Sequence, residues 1–405
     1  MFPTEPTATT MKRIVLCWEL GKNYGHLAKL LALALGLRQR GHDVVFVLKD
    51  LFHADSLHQA HGFPVMQAPV WQHRPVGLPQ PVNYAEILLR FGYHDAEKLH
   101  TMVAAWRSLF VVLQPSLLVV NHGPTALLAA RGLGIPTAVV GTGFELPPRE
   151  NPLPNFRTWE KLHPRRLASS DQRVLDATNQ VLRRLGGPEM ASLSGLFDVD
   201  GYFLCTFPEL EHYAERGRAR YWGPVFERNA GEECSWPPGQ GARIFLYLTP
   251  GHAGIDTLLS QLERSPHRVI LHAPGWSPRN RKRALPPHIR WSSQPVKLRT
   301  VADGCDLAVC HAGHGTVAGF LLGGKPLLLL PLHLEQQLLA RRVTRLGAGL
   351  ALLPGEEAHF RDRIERLITE PGFGENARRF ARNYADFDEE ELVQRLLDRL
   401  ETFVN

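Results

Sequence analysis

The sequence predicts an α/β protein built from two Rossmann-like, parallel-sheet domains. Three observations carry this. A chain of 405 residues is longer than one hydrophobic core usually serves. Both halves alternate short β-rich runs with runs at helical spacing. Between them, residues 226–242 are rich in Gly, Pro and Glu with little periodicity, which reads as a linker. The expected layout is therefore a flexible tail over 1–10, a first domain over 11–225, the linker, a second domain over 243–374, and a charged helical end over 375–405.

The first half opens on a β-rich run, Arg13 to Trp18, followed by the polar turn Gly21-Lys22-Asn23-Tyr24-Gly25. Leu27, Leu30, Leu31, Ala34 and Leu35 then repeat at helical spacing, Gly41 stops that helix, and Asp43 to Leu48 is the next strand. This is a βαβ unit. Leu117–Val120, a helix over Thr125–Leu133, and Thr137–Val140 repeat the theme. Residues 147–175, rich in Pro, Arg and Asn, read as a long irregular connection, the kind that often carries function. A strand over Tyr202–Thr206 leads to Tyr221-Trp222-Gly223-Pro224. In the second half the expected strands are Ile244–Leu248, Arg268–His272, Leu307–Cys310 and Leu327–Leu330.

Composition narrows the function classes. Hydrophobic residues make up 44% and charged residues 21%, values that speak against a disordered or fibrous chain. A net charge of +6 favours anionic small ligands or an anionic membrane face. No basic stripe is interleaved with aromatics, so nucleic acid is not an expected partner. Five cysteines, an odd number without paired CxxC spacing, signal neither a disulfide framework nor a zinc site. Reduced thiols and a short apolar run after Lys12-Arg13 suggest a cytoplasmic protein without a signal peptide. The uncharged stretch Ser108–Ala130 is interrupted by Pro115, Asn121, Gly123 and Pro124. It reads as a helix end, a buried strand and a new helix rather than a membrane span.

The most specific segment is His311-Ala312-Gly313-His314-Gly315-Thr316, which follows an apolar strand and opens a helix. Such a turn lets backbone N–H groups approach a phosphate, and the helix dipole favours its charge. Thr316 adds a hydroxyl and His311 a ring donor. The plain alternative is a tight turn whose glycines serve positive φ angles. Gly324-Lys325-Pro326, an apolar strand, Pro331 and Glu335-Gln336 follow.

Together these residues resemble the donor-binding signature of the nucleotide-sugar-dependent glycosyltransferase superfamily that includes plant UDP-glycosyltransferases and bacterial antibiotic glycosyltransferases. The resemblance implies the GT-B fold, two Rossmann-like domains with a cleft between them. It implies an acceptor site in the first domain, a donor site in the second, and transfer with inversion at the anomeric carbon. Leu246-Tyr247-Leu248-Thr249-Pro250-Gly251-His252 is similar to the family's first donor-domain strand and phosphate-side loop. Gln294-Pro295-Val296 is similar to the loop that reads the base, and the final helix is one that can cross back to the first domain. Carried over by position, Thr249, Gly251, Val296, His311, Gly313, Gly315, Thr316, Glu335 and Gln336 form the expected donor site. The resemblance implies a UDP or dTDP sugar donor acting as co-substrate, and implies no cofactor or metal.

Gly25-His26, at the start of the first helix, resembles the family's catalytic Gly-His. An inverting transfer needs a base for the acceptor hydroxyl, and an imidazole suits neutral pH. The plain alternative is a capping or loop histidine. Two departures stand out. The family places an Asp after the strand Leu117–Val120 to orient the histidine, and this chain has Asn121. The family's ribose-binding Glu is matched by Gly319. Glu19, just after the first strand, is therefore expected to orient His26 or to act as the base, against the reading that it merely caps or solvates; Asn121 would hold the imidazole or the acceptor.

Two other functions stay open: a nucleotide-sugar epimerase or hydrolase on the same fold, and a catalytically silent nucleotide-sugar-binding protein. The acceptor is expected to be a small molecule or a lipid-linked one. Its pocket would be shaped by 70–115 and 147–175, with Trp71, Tyr84, Phe91, Tyr93 and Trp106 as candidates for lining or for core. The cluster Arg279, Arg281, Lys282 and Arg283 reads first as a solvated loop and second as a peripheral contact with anionic lipid at the inner membrane face.

Overall fold

The computed structural model describes residues 11–21, 25–51, 60–73, 77, 79–163, 165–213, 216–226, 231–249, 254–280 and 284–404. The tail over 1–10, Lys22–Tyr24 of the first turn, Pro250–Ala253 with the expected donor residue Gly251, and Arg281–Arg283 of the basic cluster lie outside the described residues.

The chain divides into two compact units. The first comprises Met1–Thr206, Tyr213–Val225 and Glu389–Asn405, and the second Phe207–His212 and Phe226–Asp388.

In the first unit the elements run β1 Arg13–Trp18, α1 Gly25–Gln39, β2 Asp43–Leu48, β3 Val65–Gln67, α2 Tyr84–Leu88, α3 Ala96–Leu113, β4 Leu117–Asn121, α4 Pro124–Ala130, β5 Thr137–Gly141, α5 Arg165–Arg184 and β6 Gly201–Leu204. All strand pairs are parallel, in the order β3-β2-β1-β4-β5-β6. β4 and β5 are buried along their whole length, which is why they read as apolar runs without alternation.

The second unit runs β7 Arg243–Tyr247, α6 Ile255–Leu262, β8 Arg268–His272, β9 Ile289–Ser292, α7 Leu298–Gly304, β10 Leu307–Cys310, α8 His314–Leu322, β11 Leu327–Leu329, α9 Leu334–Arg345, β12 Gly349–Ala351, α10 Phe360–Thr369 and α11 Pro371–Asn383. Its sheet is also parallel, in the order β12-β11-β10-β7-β8-β9. The two orders are the same doubly wound pattern, so each sheet reverses its winding direction once, at β1/β4 and at β7/β10. Ligands of open α/β sheets bind at the carboxyl ends of such strand pairs. The two predicted Rossmann-like sheets are present.

Three local readings are corrected. The irregular connection 147–175 is irregular only to His163, since α5 begins at Arg165. The short strands β3, β9 and β12 were not expected; unlike the equally short but wholly apolar β10 and β11, they mix polar, charged or small residues and carry neither an apolar run nor alternation long enough to read. The charged C-terminal stretch is two helices, α11 and α12 (Glu389–Glu401). In the first unit α12 lies on α1: a methyl group added at Gly36 would strike Leu397 Cδ1 at 2.2 Å, and Glu401 pairs with Arg40 at 2.7 Å and with His42 at 3.1 Å. Among the described residues no helix is long and apolar enough to cross a membrane.

Candidate active site and donor site

The first candidate site lies at the β1/β4 reversal. β1 delivers Trp18, β4 delivers Asn121 in register beside it, and α1 starts at Gly25 with His26 in its first turn. His26 is buried, and its ring stacks on Trp18 with centroids 5.3 Å apart. Its Nδ1 lies 2.7 Å from Asn121 Oδ1 and 3.2 Å from Glu145 Oε1.

The amide of Asn121 has only one orientation that satisfies its surroundings. Its Nδ2 donates to Val140 O at 2.6 Å and to Glu145 Oε2 at 3.0 Å, so Oδ1 must face the imidazole. Nδ1 of neutral His26 therefore sees only acceptors and carries the proton. The lone pair is left on Nε2, on the side of Gly21. That glycine is required: its φ is +88°, and a Cβ there would meet Nε2 at 2.3 Å.

Glu145 and Lys29 escaped the sequence reading. Glu145 sits in the turn after β5 and is buried, with Oε2 accepting from Thr142 N at 2.7 Å and from Lys29 Nζ at 3.1 Å. A Cβ at Gly141 would collide with Oε2 at 2.3 Å, so glycine lets the carboxylate fold back to the strand end. Burial works to raise the pKa of Glu145, yet the charge of Lys29, then the hydrogen bond and charge of His26, hold it well below the usual carboxylate range. The available signals were an acid flanked by Phe144 and Leu146 after a strand, and a lysine three residues after His26 on an apolar helix.

The expectation that Glu19 orients His26 is corrected. Glu19 is buried, but Oε2 accepts from Thr125 N at 2.8 Å and Oε1 from Thr125 Oγ1. It caps the start of α4, whose first amides lack helical partners. Burial, opposed by these hydrogen bonds, pushes its pKa up to about 7. Thr125 Oγ1 also lies 3.0 Å from Tyr93 OH. Tyr84, Tyr93 and Trp106 are fully buried and belong to the core, whereas Trp71 and Phe91 are half-buried. His122, with φ +44°, is buried among the rings of His26, Tyr84 and Phe144. Among the described residues neither of its nitrogens has a hydrogen-bond partner, and burial pushes its pKa down to about 3.

The second candidate site lies at the β7/β10 reversal. His311 follows β10, Thr249 lies just beyond β7, and Leu330 follows β11. His311 Nδ1 donates to Leu330 O at 2.8 Å, and Nε2 accepts from Thr249 N at 2.9 Å. The imidazole thus ties three strand ends together. Its expected role as a ring donor to a diphosphate is corrected: both nitrogens are engaged by the backbone.

The feature that remains as a candidate for holding a phosphate is the helix start. Ala312, not a glycine, takes the left-handed conformation, with φ +58°, and Gly313 precedes the first turn of α8. Among the described residues, a Cβ on Gly313 would meet only Thr316 Oγ1, at 3.9 Å, so on their account this side is open to an approaching group. Gly315 is needed for packing, because a Cβ there would lie 2.9 Å from Phe226 Cβ. At Gly319 a Cβ would lie 2.6 Å from Leu298 Cδ2 and 3.2 Å from Phe226 Cε2, so an apolar wall stands where relatives are expected to offer a carboxylate. Glu335 is in the first turn of α9, and buried Gln336 accepts from Leu332 N at 2.8 Å through Oε1. Glu232 pairs with the peptides flanking Val296, which leaves the N–H and C=O of Val296 on the other edge of that segment.

Residues 256–398 match the family model described as "Erythromycin biosynthesis protein CIII-like, C-terminal domain". A PGL/p-HBAD biosynthesis glycosyltransferase of Mycobacterium tuberculosis is 25% identical over 321 residues, covering 74% of this chain and 71% of its own. The TDP-daunosamine transferase DnrS of Streptomyces peucetius is 36% identical over 88 residues, covering 21% of this chain and 20% of its own. The solved structure of the calicheamicin glycosyltransferase CalG4 aligns with a TM-score of 0.71 at 21% identity, covering 98% of this chain and 99% of that one. With two doubly wound parallel sheets that align over nearly the whole chain, the protein has the GT-B fold, and its C-terminal domain is similar to that of nucleotide-sugar glycosyltransferases.

Proposed function

We propose that this chain moves a sugar from a dTDP or UDP sugar to an acceptor hydroxyl with inversion, using His26 Nε2 as the base. The observation that carries the reading is the fixed tautomer of His26. Asn121 Oδ1 and Glu145 Oε1 both face Nδ1, so the lone pair is on Nε2. As the acceptor oxygen forms its bond to the anomeric carbon, the bond from that carbon to the diphosphate oxygen breaks. The acceptor proton passes to Nε2, and the nucleoside diphosphate leaves with the electron pair.

The leaving diphosphate gains negative charge, and the open start of α8 offers it oriented N–H groups. Thr316, in the first turn, adds a hydroxyl. In this reading the helix start does the work that a metal does elsewhere, and transfer persists in a chelator. The apolar wall of Leu298 and Phe226 at Gly319 offers nothing to ribose hydroxyls, which supports a 2′-deoxyribose donor, in line with the name of the TDP-daunosamine transferase.

The test is incubation with dTDP and UDP sugars, each with and without a panel of phenols and aliphatic alcohols. A new glycoside of inverted configuration by NMR is the expected result. Free sugar from donor alone, with no glycoside from any acceptor, would replace this reading by a hydrolase.

A further inference from the structure

A histidine base is strongest when something stabilises the cation it becomes. Asn121 accepts the Nδ1 proton but has no charge to offer. The titratable groups around His26 come from several elements: Glu19 after β1, Lys49 after β2, Tyr84 of α2, His122 after β4, Glu145 after β5 and Lys29 of α1. Glu19 is spent on Thr125, Lys49 donates to Gly21 O at 2.8 Å, and His122 is buried in an aromatic cluster. Glu145 is different: one carboxylate oxygen lies 3.2 Å from His26 Nδ1, and the other is 3.1 Å from Lys29 Nζ and 3.0 Å from Asn121 Nδ2.

We propose that Glu145 is the positioning residue of His26, and that Lys29 tunes it. The carboxylate holds the Nδ1 proton in place and supplies the counter-charge that Asn121 lacks. The ammonium on its other side draws part of that charge away from the imidazole. This rests on the reading of His26 as the base. In the resting site one anion and one cation balance, and proton transfer to Nε2 leaves a single positive charge in a buried place. Glu145 keeps its charge throughout and Nδ1 keeps its proton. Lys29 prevents the imidazolium from becoming so stable that it holds the proton after the product has left.

The two partners of one ion pair therefore act in opposite directions on His26. The experiment is NMR titration of histidine-labelled protein, with His26→Asn to assign the signal, beside the pH profile of kcat/KM. Glu145→Gln should lower the His26 pKa by about one unit, a tenfold change in its protonation ratio. The acid limb should move to lower pH, and kcat should fall while the KM for donor holds. Lys29→Met should raise the pKa and move the limb up. The double variant Asn121→Asp with Glu145→Gln puts the carboxylate on the strand and an amide in the turn, and should return the titration toward the wild-type position. If Glu145→Gln does not fold, Lys29→Met and the double variant decide. Shifts of the same sign in the two single variants, or no shift in either folded variant, would overturn the proposal. The titration needs no substrate, so absence of transfer by the wild type would defeat the functional reading while leaving this pair to be judged by NMR.

Discussion

The ring of His311 accepts the amide N–H of Thr249 at 2.9 Å, so the first and fourth strands of the second sheet are clasped at their carboxyl ends by one imidazole. The same ring donates to Leu330 O at 2.8 Å, which brings in the neighbouring strand β11. In the proposed donor site, a diphosphate at α8 would meet a helix start whose neighbouring strand ends are already tied. We expect dTDP to raise the melting temperature more than dTMP, and dTMP more than thymidine. At about 100 times its Kd, a ligand adds about 2.7 kcal/mol. Thr316→Val should reduce the dTDP effect at unchanged unliganded stability. Thermal shifts read both, and equal shifts from all three ligands would remove α8 from the donor site.

His26→Ala should lower kcat by roughly 10² to 10⁴, the usual loss for a general base. Donor binding, measured by calorimetry with dTDP, should persist, because the residues of the proposed donor site belong to the other unit. Gly21→Ala should lower turnover in the same manner, since its methyl group would lie 2.3 Å from Nε2 and force the ring aside. A His26→Ala enzyme with wild-type turnover would end the assignment.

Glu19 should govern stability rather than catalysis. Its pKa is raised by burial from 4.5 to about 7, so the folded state prefers the protonated carboxyl. A raised folded-state pKa gives stability that is complete below pH 4.5 and is lost as pH rises through about 7. The loss is on the order of 3 kcal/mol, from a shift of about two and a half units. Glu19→Gln mimics the protonated carboxyl and should not show this loss. Urea unfolding at pH 5 and pH 8 should therefore find the variant more stable than wild type only at the higher pH. Turnover per folded molecule should stay within a few-fold, and a sharp drop would restore Glu19 to the mechanism.

Gly319→Glu would install the carboxylate that relatives are expected to carry, in a place where no room exists. Its Cβ would meet Leu298 and Phe226, and overpacking of this kind costs about 1–3 kcal/mol. The variant should melt lower and bind UDP no better than the parent. Adding Leu298→Ala should recover stability, as removal of Cδ2 frees the site. A stable single variant with improved UDP affinity would show that the wall yields.

Much of the fold could be read in the sequence because local pattern decides it. Apolar runs such as Arg268–His272 and Leu307–Cys310 match their strands residue for residue, as does Asp43–Leu48. Strands buried on both faces need continuous apolar sequence, and that need is visible without a structure. β3 and β12 were missed because their three residues, Val65-Met66-Gln67 and Gly349-Leu350-Ala351, form no apolar run like that of β11 and gain strand character from the neighbour they pair with. His26 and Asn121 were named from their places at strand and helix ends, and the structure sets them 2.7 Å apart.

What the sequence determined by itself was the α/β alternation, the two parallel-sheet halves, and the glycine turn that opens a helix after β10. These follow from periodicity and from backbone freedom, both properties of neighbours in the chain. What only the tertiary structure decided was which carboxylate meets His26. Glu19 is close to it in sequence but is drawn to the unpaired amides at the start of α4. Glu145 is remote in sequence, yet parallel pairing of β4 with β5 carries the turn after β5 to the imidazole. A buried charge settles where hydrogen-bond donors and opposite charge converge, and that convergence is a property of strand order, which no local pattern records.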